Sequence, residues 1–360
     1  MNIALLTMDF PPSTGGVQNY LLELSRRVGR HYHLTVAVPQ RNASLFQEEP
    51  FSLVSLPSSM PWHYARVLAT LRPHVTIVGH AHPRMLLPAA FLSRRRFIGL
   101  AHGSDYEVAQ HRWHAPIFNR LLACARPLVV GSRNISLRLN ALGLANLEIV
   151  HPATDPHVFS PSKIPTTGPP VILSVCRLVP RKGLDIVLKA LPSLLESFPR
   201  LQYWIAGEGP QRAALGRLAR TLKVDHAVSF LGNLSHTKSS GGIPHLPELY
   251  RQASIFVLPT RVDSETGPEG FGIVYLEASA SGLPVVAARS GGAAEAVLEN
   301  ETGLLVPPDD PVALEQALQS LLNDPEMRQQ MGRAGRRWVE TEMNWDRVGR
   351  QFLSIIDRAL

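Results

Sequence analysis

Short apolar runs of four to six residues recur along the chain, each followed by a stretch with helical spacing of its apolar positions. Continuous apolar runs of that length are the mark of strands buried on both faces, and their alternation with helices is the pattern of parallel βαβ units. The first series of expected strands is Asn2–Thr7, Leu34–Val38, Val75–Val78, Phe97–Ala101, Leu128–Gly131 and Ile149–His151. The second is Val171–Val175, Gln202–Ala206, Val228–Leu231, Ile255–Leu258, Pro284–Ala287 and Gly303–Val306. Helices are expected over Val17–Val28, Gly183–Ser197 and Pro311–Leu322. Asn344–Leu360 closes the chain as a helix with Trp345, Val348, Phe352, Ile355 and Ile356 on one side.

Between the two series Ala153–Pro170 holds five prolines and little periodicity, the composition of a linker. A chain of 360 residues also exceeds the size at which one core usually stops growing. The expected organisation is therefore α/β, with a first domain over 1–165, a second over 166–343, and a terminal helix over 344–360. Charge separates the halves. Residues 1–160 carry 15 Arg, no Lys and 8 acidic residues, whereas the remainder has 21 basic and 21 acidic residues. A net charge held entirely in one half suggests an anionic partner there.

Several classes drop out on composition and motif. Cys124 and Cys176 are isolated, as in a reducing compartment, and no run is long and apolar enough for a membrane span. The apolar Met1–Thr7 lacks a basic leader and ends at Asp9-Phe10-Pro11-Pro12, so it reads as a strand and not as a signal peptide. The 14 histidines include His31-x-His33, His80-x-His82 and the His111–His114 stretch, but no HExxH and no Asp-x-Asp. No metal site is expected. The arginines have no interleaved aromatic stripe, so nucleic acid is not an expected partner.

The chemistry concentrates in Pro268-Glu269-Gly270-Phe271-Gly272-Ile273-Val274-Tyr275-Leu276-Glu277-Ala278, which follows a strand and leads into a helix ending near Gly282. The glycines let backbone approach a ligand, and a helix N-terminus offers unpaired N–H groups to phosphate. Carboxylates suit sugar hydroxyls because each accepts two hydrogen bonds. Ser174–Leu184 places Arg177 directly after a strand and Lys182 five residues on, with Arg181 next in line, where a strand-to-helix turn meets ligands. His102, in Ala101-His102-Gly103-Ser104-Asp105, also stands at a strand's carboxyl end. Gly15 and Gly16 lie in a Pro/Gly loop before the first helix, without the Lys-Ser/Thr ending of a P-loop. Gly207 and Gly209 follow another strand, but Arg212 stands where a dinucleotide fingerprint needs its third glycine.

Glu269 and Glu277, with the Gly282-Leu283-Pro284-Val285-Val286 and Ser290-Gly291-Gly292 runs, resemble the Glu-x7-Glu motif of retaining glycosyltransferases with the GT-B fold, family 4, the glycosyl transferases group 1. The wording is similar to bacterial mannosyltransferases acting on lipid acceptors. The resemblance implies two Rossmann-like domains with parallel sheets facing across a cleft, and the terminal helix 344–360 joined to the first. It implies that Glu269 contacts the transferred hexose, Glu277 grips the ribose, Arg177 and Lys182 hold the diphosphate, and His102 touches the sugar. Gly15, Gly16, Gly207, Gly209, Leu231, Phe271, Gly272 and Ile273 would then complete the donor site, with the base near Phe230-Leu231-Gly232.

The implied reaction moves a mannose- or glucose-type hexose from a GDP- or UDP-sugar to a lipid-linked or glycan acceptor in cell-envelope synthesis. No cofactor is needed beyond the donor and no metal. A sugar-nucleotide epimerase or hydrolase of the same architecture, or a non-catalytic nucleotide-sugar scaffold, stays open on sequence alone. The basic first half adds an expectation of a cytoplasmic protein in peripheral contact with anionic membrane. Apolar Met85–Ser93 followed by Arg94-Arg95-Arg96 would lie on the lipid. In His151-Pro152-Ala153-Thr154-Asp155 only the aspartate of the usual Asn-Gly-Val-Asp turn is kept, and Lys238-Ser239-Ser240-Gly241-Gly242 marks a rim loop.

Overall fold

The computed structural model describes all residues except 14, 41–42, 94–96, 104–114, 163–167, 235–244, 263–266 and 268. Thr14 of the first glycine loop, the Arg94-Arg95-Arg96 run, Ser104-Asp105, His111–His114, the Lys238–Gly242 insert and Pro268 thus lie outside the described residues.

The chain divides into two compact units, one of Met1–Pro152 with Trp345–Leu360 and one of Ala153–Asn344. The division falls earlier than the expected 165/166 boundary, and the reason is visible in the linker's partners. Thr154 donates its N–H to the Met343 carbonyl, Arg336 donates to the carbonyls of Pro156 and Phe159, and the Phe159 ring is buried in the second core. Those contacts make the stretch after Ala153 part of the second unit.

In the first unit β1 (Asn2–Leu6), β2 (His33–Pro39), β3 (Ser52–Leu56), β4 (Val75–Val78), β5 (Phe97–Ala101), β6 (Leu128–Val130) and β7 (Leu147–Ile149) form a seven-stranded sheet in the order β3-β2-β1-β4-β5-β6-β7. Every pairing is parallel. Residues of β4 and β5 are buried throughout, as both-face coverage requires. The last strand starts two residues before the expected Ile149–His151, because Leu147–Ile149 are the residues that pair with Leu128–Val130.

The terminal helix Trp345–Ala359 buries Trp345, Val348, Phe352, Ile355 and Ile356, the apolar side read from its spacing. It packs on the helix Gly16–Gly29. Arg358 bridges to Glu148 at 2.6 Å and Tyr32 hydrogen-bonds Asp357. Trp345 itself sits edge-on to Tyr20, under the Arg27 guanidinium.

In the second unit β8 (Val171–Val175), β9 (Gln202–Ala206), β10 (Val228–Gly232), β11 (Ile255–Leu258), β12 (Val285–Ala288) and β13 (Gly303–Val306) form a parallel sheet in the order β10-β9-β8-β11-β12-β13. Each sheet runs outward in both directions from its first strand, the doubly wound Rossmann order. The order reverses between β1 and β4 in the first unit and between β8 and β11 in the second. In such sheets ligands bind beyond the carboxyl ends of the strands at that reversal.

Candidate functional site

In the second unit the two loops at the reversal are Cys176–Gly183, after β8, and Pro259–Gly272, after β11. The first is stitched to the loop after β9. Leu178 N–H donates to Glu208 O at 2.9 Å and Gln211 N–H to Leu178 O at 3.0 Å. A Cβ at Gly207 would fall 1.9 Å from the Cys176 carbonyl oxygen, and one at Gly209 2.5 Å from that of Leu178. The two glycines are thus required by contact between loops, whatever they also offer a ligand.

The basic segment then turns through the 3₁₀ helix Pro180–Lys182 and leaves it at Gly183, in the left-handed region at φ 67°. A side chain there would meet the Pro259 carbonyl at 2.0 Å, so only glycine lets the turn lie against the loop after β11. Arg261 N–H donates to Arg181 O at 2.9 Å, and the Arg261 guanidinium pairs with Asp185 at 2.8 Å. Clamped in this way, Lys182 and Arg181 converge on one oxygen. Lys182 Nζ lies 2.5 Å and an Arg181 Nη 3.1 Å from Glu269 Oε2. Lys182 is buried and the Glu269 side chain is 11% exposed.

Burial alone would push the Glu269 carboxyl up, but attraction to Lys182 and then Arg181 outweighs it and holds the group below its ordinary range. Glu269 is therefore a carboxylate at neutral pH, set against two cations. Its main-chain carbonyl accepts the Gly292 N–H at 2.9 Å, and a Cβ at Gly292 would meet the Gly270 carbonyl at 2.0 Å. The Ser290-Gly291-Gly292 run braces the glutamate loop. Gly272 at φ 90° then turns the chain into the helix Ile273–Ala280, with Phe271 buried and Ile273 partly so. Tyr275 OH donates to the Leu258 carbonyl at 2.8 Å and ties that first turn to β11.

The second glutamate has a different environment. Glu277 is buried and its Oε2 accepts the Tyr250 hydroxyl at 2.8 Å. Burial raises its carboxyl to about 7, against the opposing pull of the Tyr250 hydrogen bond. The folded protein thus binds this proton more tightly than the unfolded chain. Below pH 4.5 the group is protonated in both states and costs nothing; the penalty grows as pH rises and is complete above pH 7. From the shift it amounts to about 3 kcal/mol. Glu277→Gln should therefore melt with the wild type near pH 4.5 but be more stable by about 3 kcal/mol at pH 8. Equal melting curves for the two proteins at pH 8 would remove this account of the site.

Other sequence-derived positions fall around this core. The Arg177 side chain is exposed and has no hydrogen-bond or ion-pair partner among the described residues. Leu231 is partly buried in β10, and the neighbouring Phe230 ring carries the Arg212 guanidinium 5.0 Å from its centroid. Cys176, whose thiol burial pushes up to about 12, stays protonated and is no nucleophile at neutral pH.

In the first unit the reversal gathers the loops after β1, β4 and β5. His102 Nε2 lies 2.9 Å from the Gly79 carbonyl. A carbonyl only accepts, so Nε2 carries a proton. The ring is flanked by Tyr20, edge-on at 5.5 Å, and by His80, stacked at 5.9 Å. Gly15 and Gly16 open the helix Gly16–Gly29, whose N-terminus has no side-chain cap. Among the described residues no group of three or more His, Cys, Asp or Glu converges, and no helix is long and apolar enough to cross a membrane.

Arg181 is the site residue that sequence spacing undervalues, since the family pattern favours its neighbour. Both reach Glu269 because the segment is a 3₁₀ turn with its carboxylate partner lying over it. Tyr250 and Arg261 carry no sequence signal of their own.

The model of the family glycosyl transferases group 1 matches residues 159–338. A GDP-mannose-dependent alpha-(1-6)-phosphatidylinositol monomannoside mannosyltransferase of Mycolicibacterium smegmatis is 33% identical over 98% of this chain and 97% of its own. Its namesake in Mycobacterium tuberculosis is 31% identical over the same shares. Among solved structures, Anabaena HepE bound to UDP aligns with TM-score 0.82 at 18% identity, covering 99% of this chain and all of that one. A sucrose-phosphate synthase from Thermosynechococcus elongatus aligns with TM-score 0.78 at 20% identity, covering 99% of this chain and 98% of that one. The chain belongs to the group 1 glycosyltransferases and has their GT-B fold. It is a glycosyltransferase.

Proposed function

We propose that the protein is a retaining, metal-independent mannosyltransferase. Its donor is GDP-mannose and its acceptor a phosphatidylinositol-linked mannoside or a similar lipid-anchored glycan at the cytoplasmic face of a membrane. The observation that carries donor binding is the convergence of Arg181 and Lys182 on Glu269 at the strand-order reversal of the second unit. The donor and acceptor classes rest on the full-length mannosyltransferase relatives. UDP-hexose is the alternative donor.

Two cations against one carboxylate leave the cluster net positive, and exposed Arg177 adds a further charge. That sum matches a diphosphate, and charge-assisted bonds contribute roughly 1.5–3 kcal/mol each. Arg177 and Lys182, with Arg181, hold the diphosphate, and the amides after Gly272 extend the same field. Glu269 orients the hexose, and the family resemblance gives His102 a sugar contact as well. Glu277 takes the ribose, whose hydroxyls replace or join the Tyr250 donor.

In the reaction the bond from the anomeric carbon to the diphosphate oxygen breaks and the acceptor oxygen bonds on the same face. The acceptor's proton passes to the departing diphosphate. Charge placed to meet that leaving group makes a metal unnecessary, and orientation with electrostatic stabilisation supplies the rate.

Thermal unfolding in EDTA with GDP, GDP-mannose, UDP and UDP-glucose tests the reading. At a hundredfold excess over Kd the guanine ligands should add about 2.7 kcal/mol. Arg177→Ala should erase the gain. Stabilisation by uridine ligands alone would overturn the donor, a response only with magnesium or manganese the metal independence, and no response the whole reading. An α-linked product, read by NMR, is expected of retention; a β-linkage would refute it.

A further inference from the structure

The Glu277 side chain makes one hydrogen bond among the described residues, the Tyr250 hydroxyl donating to Oε2 at 2.8 Å. The other oxygen, Oε1, has no donor among those residues, yet it is not sealed from the surface. Tyr250 is fully buried, with Phe159 edge-on at 5.5 Å and Phe256 tilted against it at 5.8 Å. It belongs to the helix Leu246–Gln252, and the next residue pins that helix. Arg251 donates through Nε to Ser160 O and through an Nη to Ser160 Oγ, both at 3.1 Å. The phenol is thus held on every side. Its other acceptor among the described residues is the Val274 carbonyl, at 3.4 Å. A charged acceptor makes the stronger bond, so the hydroxyl proton points to Glu277.

From this we infer that Tyr250 is a positioning residue of the donor site, holding Glu277 by Oε2 so that Oε1 meets the ribose hydroxyls. The inference deepens the proposed function and rests on it for the ribose contact of Glu277. A pair kept for the fold alone would be built differently. Because burial raises the Glu277 carboxyl, ionising it costs stability at neutral pH, and a neutral side chain in its place would not. What a buried carboxylate offers is acceptor capacity. It has about four lone-pair positions, of which Tyr250 takes one and both on Oε1 stay open.

The hydroxyl acts there in two ways. It orients the group, because a carboxylate tethered at one oxygen presents the other in a defined direction. It also opposes burial, which by itself would keep the proton on Glu277. A protonated carboxyl gives one position to its own hydrogen and accepts more weakly from a sugar hydroxyl. Burial, and then the Glu277 charge, push the Tyr250 phenol well above its ordinary range, so it stays a donor wherever Glu277 is ionised.

Calorimetric titration of the full chain at about pH 8 tests the inference, with three ligands. These are GDP (or UDP, should thermal unfolding select it), its dideoxyribose counterpart, and pyrophosphate. The wild type should prefer the ribose ligand to the dideoxy one by about a hundredfold, as two hydrogen bonds to a carboxylate would give. Tyr250→Phe should cut that preference about tenfold while binding the dideoxy ligand and pyrophosphate as the wild type does. In Glu277→Gln protein, the more stable background, adding Tyr250→Phe should leave the preference within about threefold. Equal losses for all three ligands, an unchanged preference, or a tenfold loss in the Glu277→Gln background as well would overturn the role of Tyr250. A wild type that binds the ribose and dideoxy ligands alike would remove the ribose contact and this inference with it, while leaving the diphosphate reading in place. One that binds none of the three would remove the proposed function itself.

Discussion

Lys182→Ala is expected to lower kcat by about a hundred- to a thousandfold, the loss seen when one preorganised donor to developing charge is removed. The substitution acts twice. It withdraws the cation meant for the leaving diphosphate, and it leaves Glu269 with Arg181 alone. Burial then gains on attraction, so the Glu269 carboxyl rises and the loop loses a buried pair, a change worth about 3–5 kcal/mol of stability when one partner is deleted. Arg181→Ala should cost less in both respects, because its contact is longer and its side chain more than twice as exposed, 24% against 10%. Steady-state kinetics and thermal unfolding of the two variants decide. A Lys182→Ala enzyme within threefold of wild type would show that the diphosphate is held elsewhere.

The other large effect is expected from Trp345→Ala. The ring is 5% exposed and wedged between Tyr20 and the Arg27 guanidinium, so its removal opens a cavity that should cost about 3–5 kcal/mol. The cost should fall on the first unit alone. Amide hydrogen exchange should accelerate in 1–152 and in the terminal helix while 153–344 stays as in the wild type. Because Tyr20 also flanks His102, kcat should fall even where the protein remains folded. Faster exchange spread evenly over both units would defeat the assignment of Trp345 to the first core.

The sequence made the second sheet more legible than the first. Val171–Val175, Gln202–Ala206, Ile255–Leu258 and Gly303–Val306 are strands over the residues their apolar runs mark, since each is short and central or closely covered. Ser52–Leu56 escaped because it is the edge strand β3, largely exposed, and offers no apolar run to find. At the site, Glu269 and Lys182 stood out through spacing and charge. Arg181 did not, because adjacency in sequence hides that a tight turn can send two neighbouring side chains to one oxygen. The elevated carboxyl of Glu277 was out of reach altogether: it depends on burial beside Tyr250, a residue distant in sequence.

The first unit is assembled from both ends of the polypeptide, with the second unit inserted between. During translation the six strands of the insert are complete before the helix that closes its predecessor has left the ribosome. The amino-terminal sheet must wait, with the groove over Tyr20 uncovered, until Trp345 arrives. Chaperone capture and proteolytic nicking of nascent chains should accordingly concentrate on residues 1–152, even though these are made first.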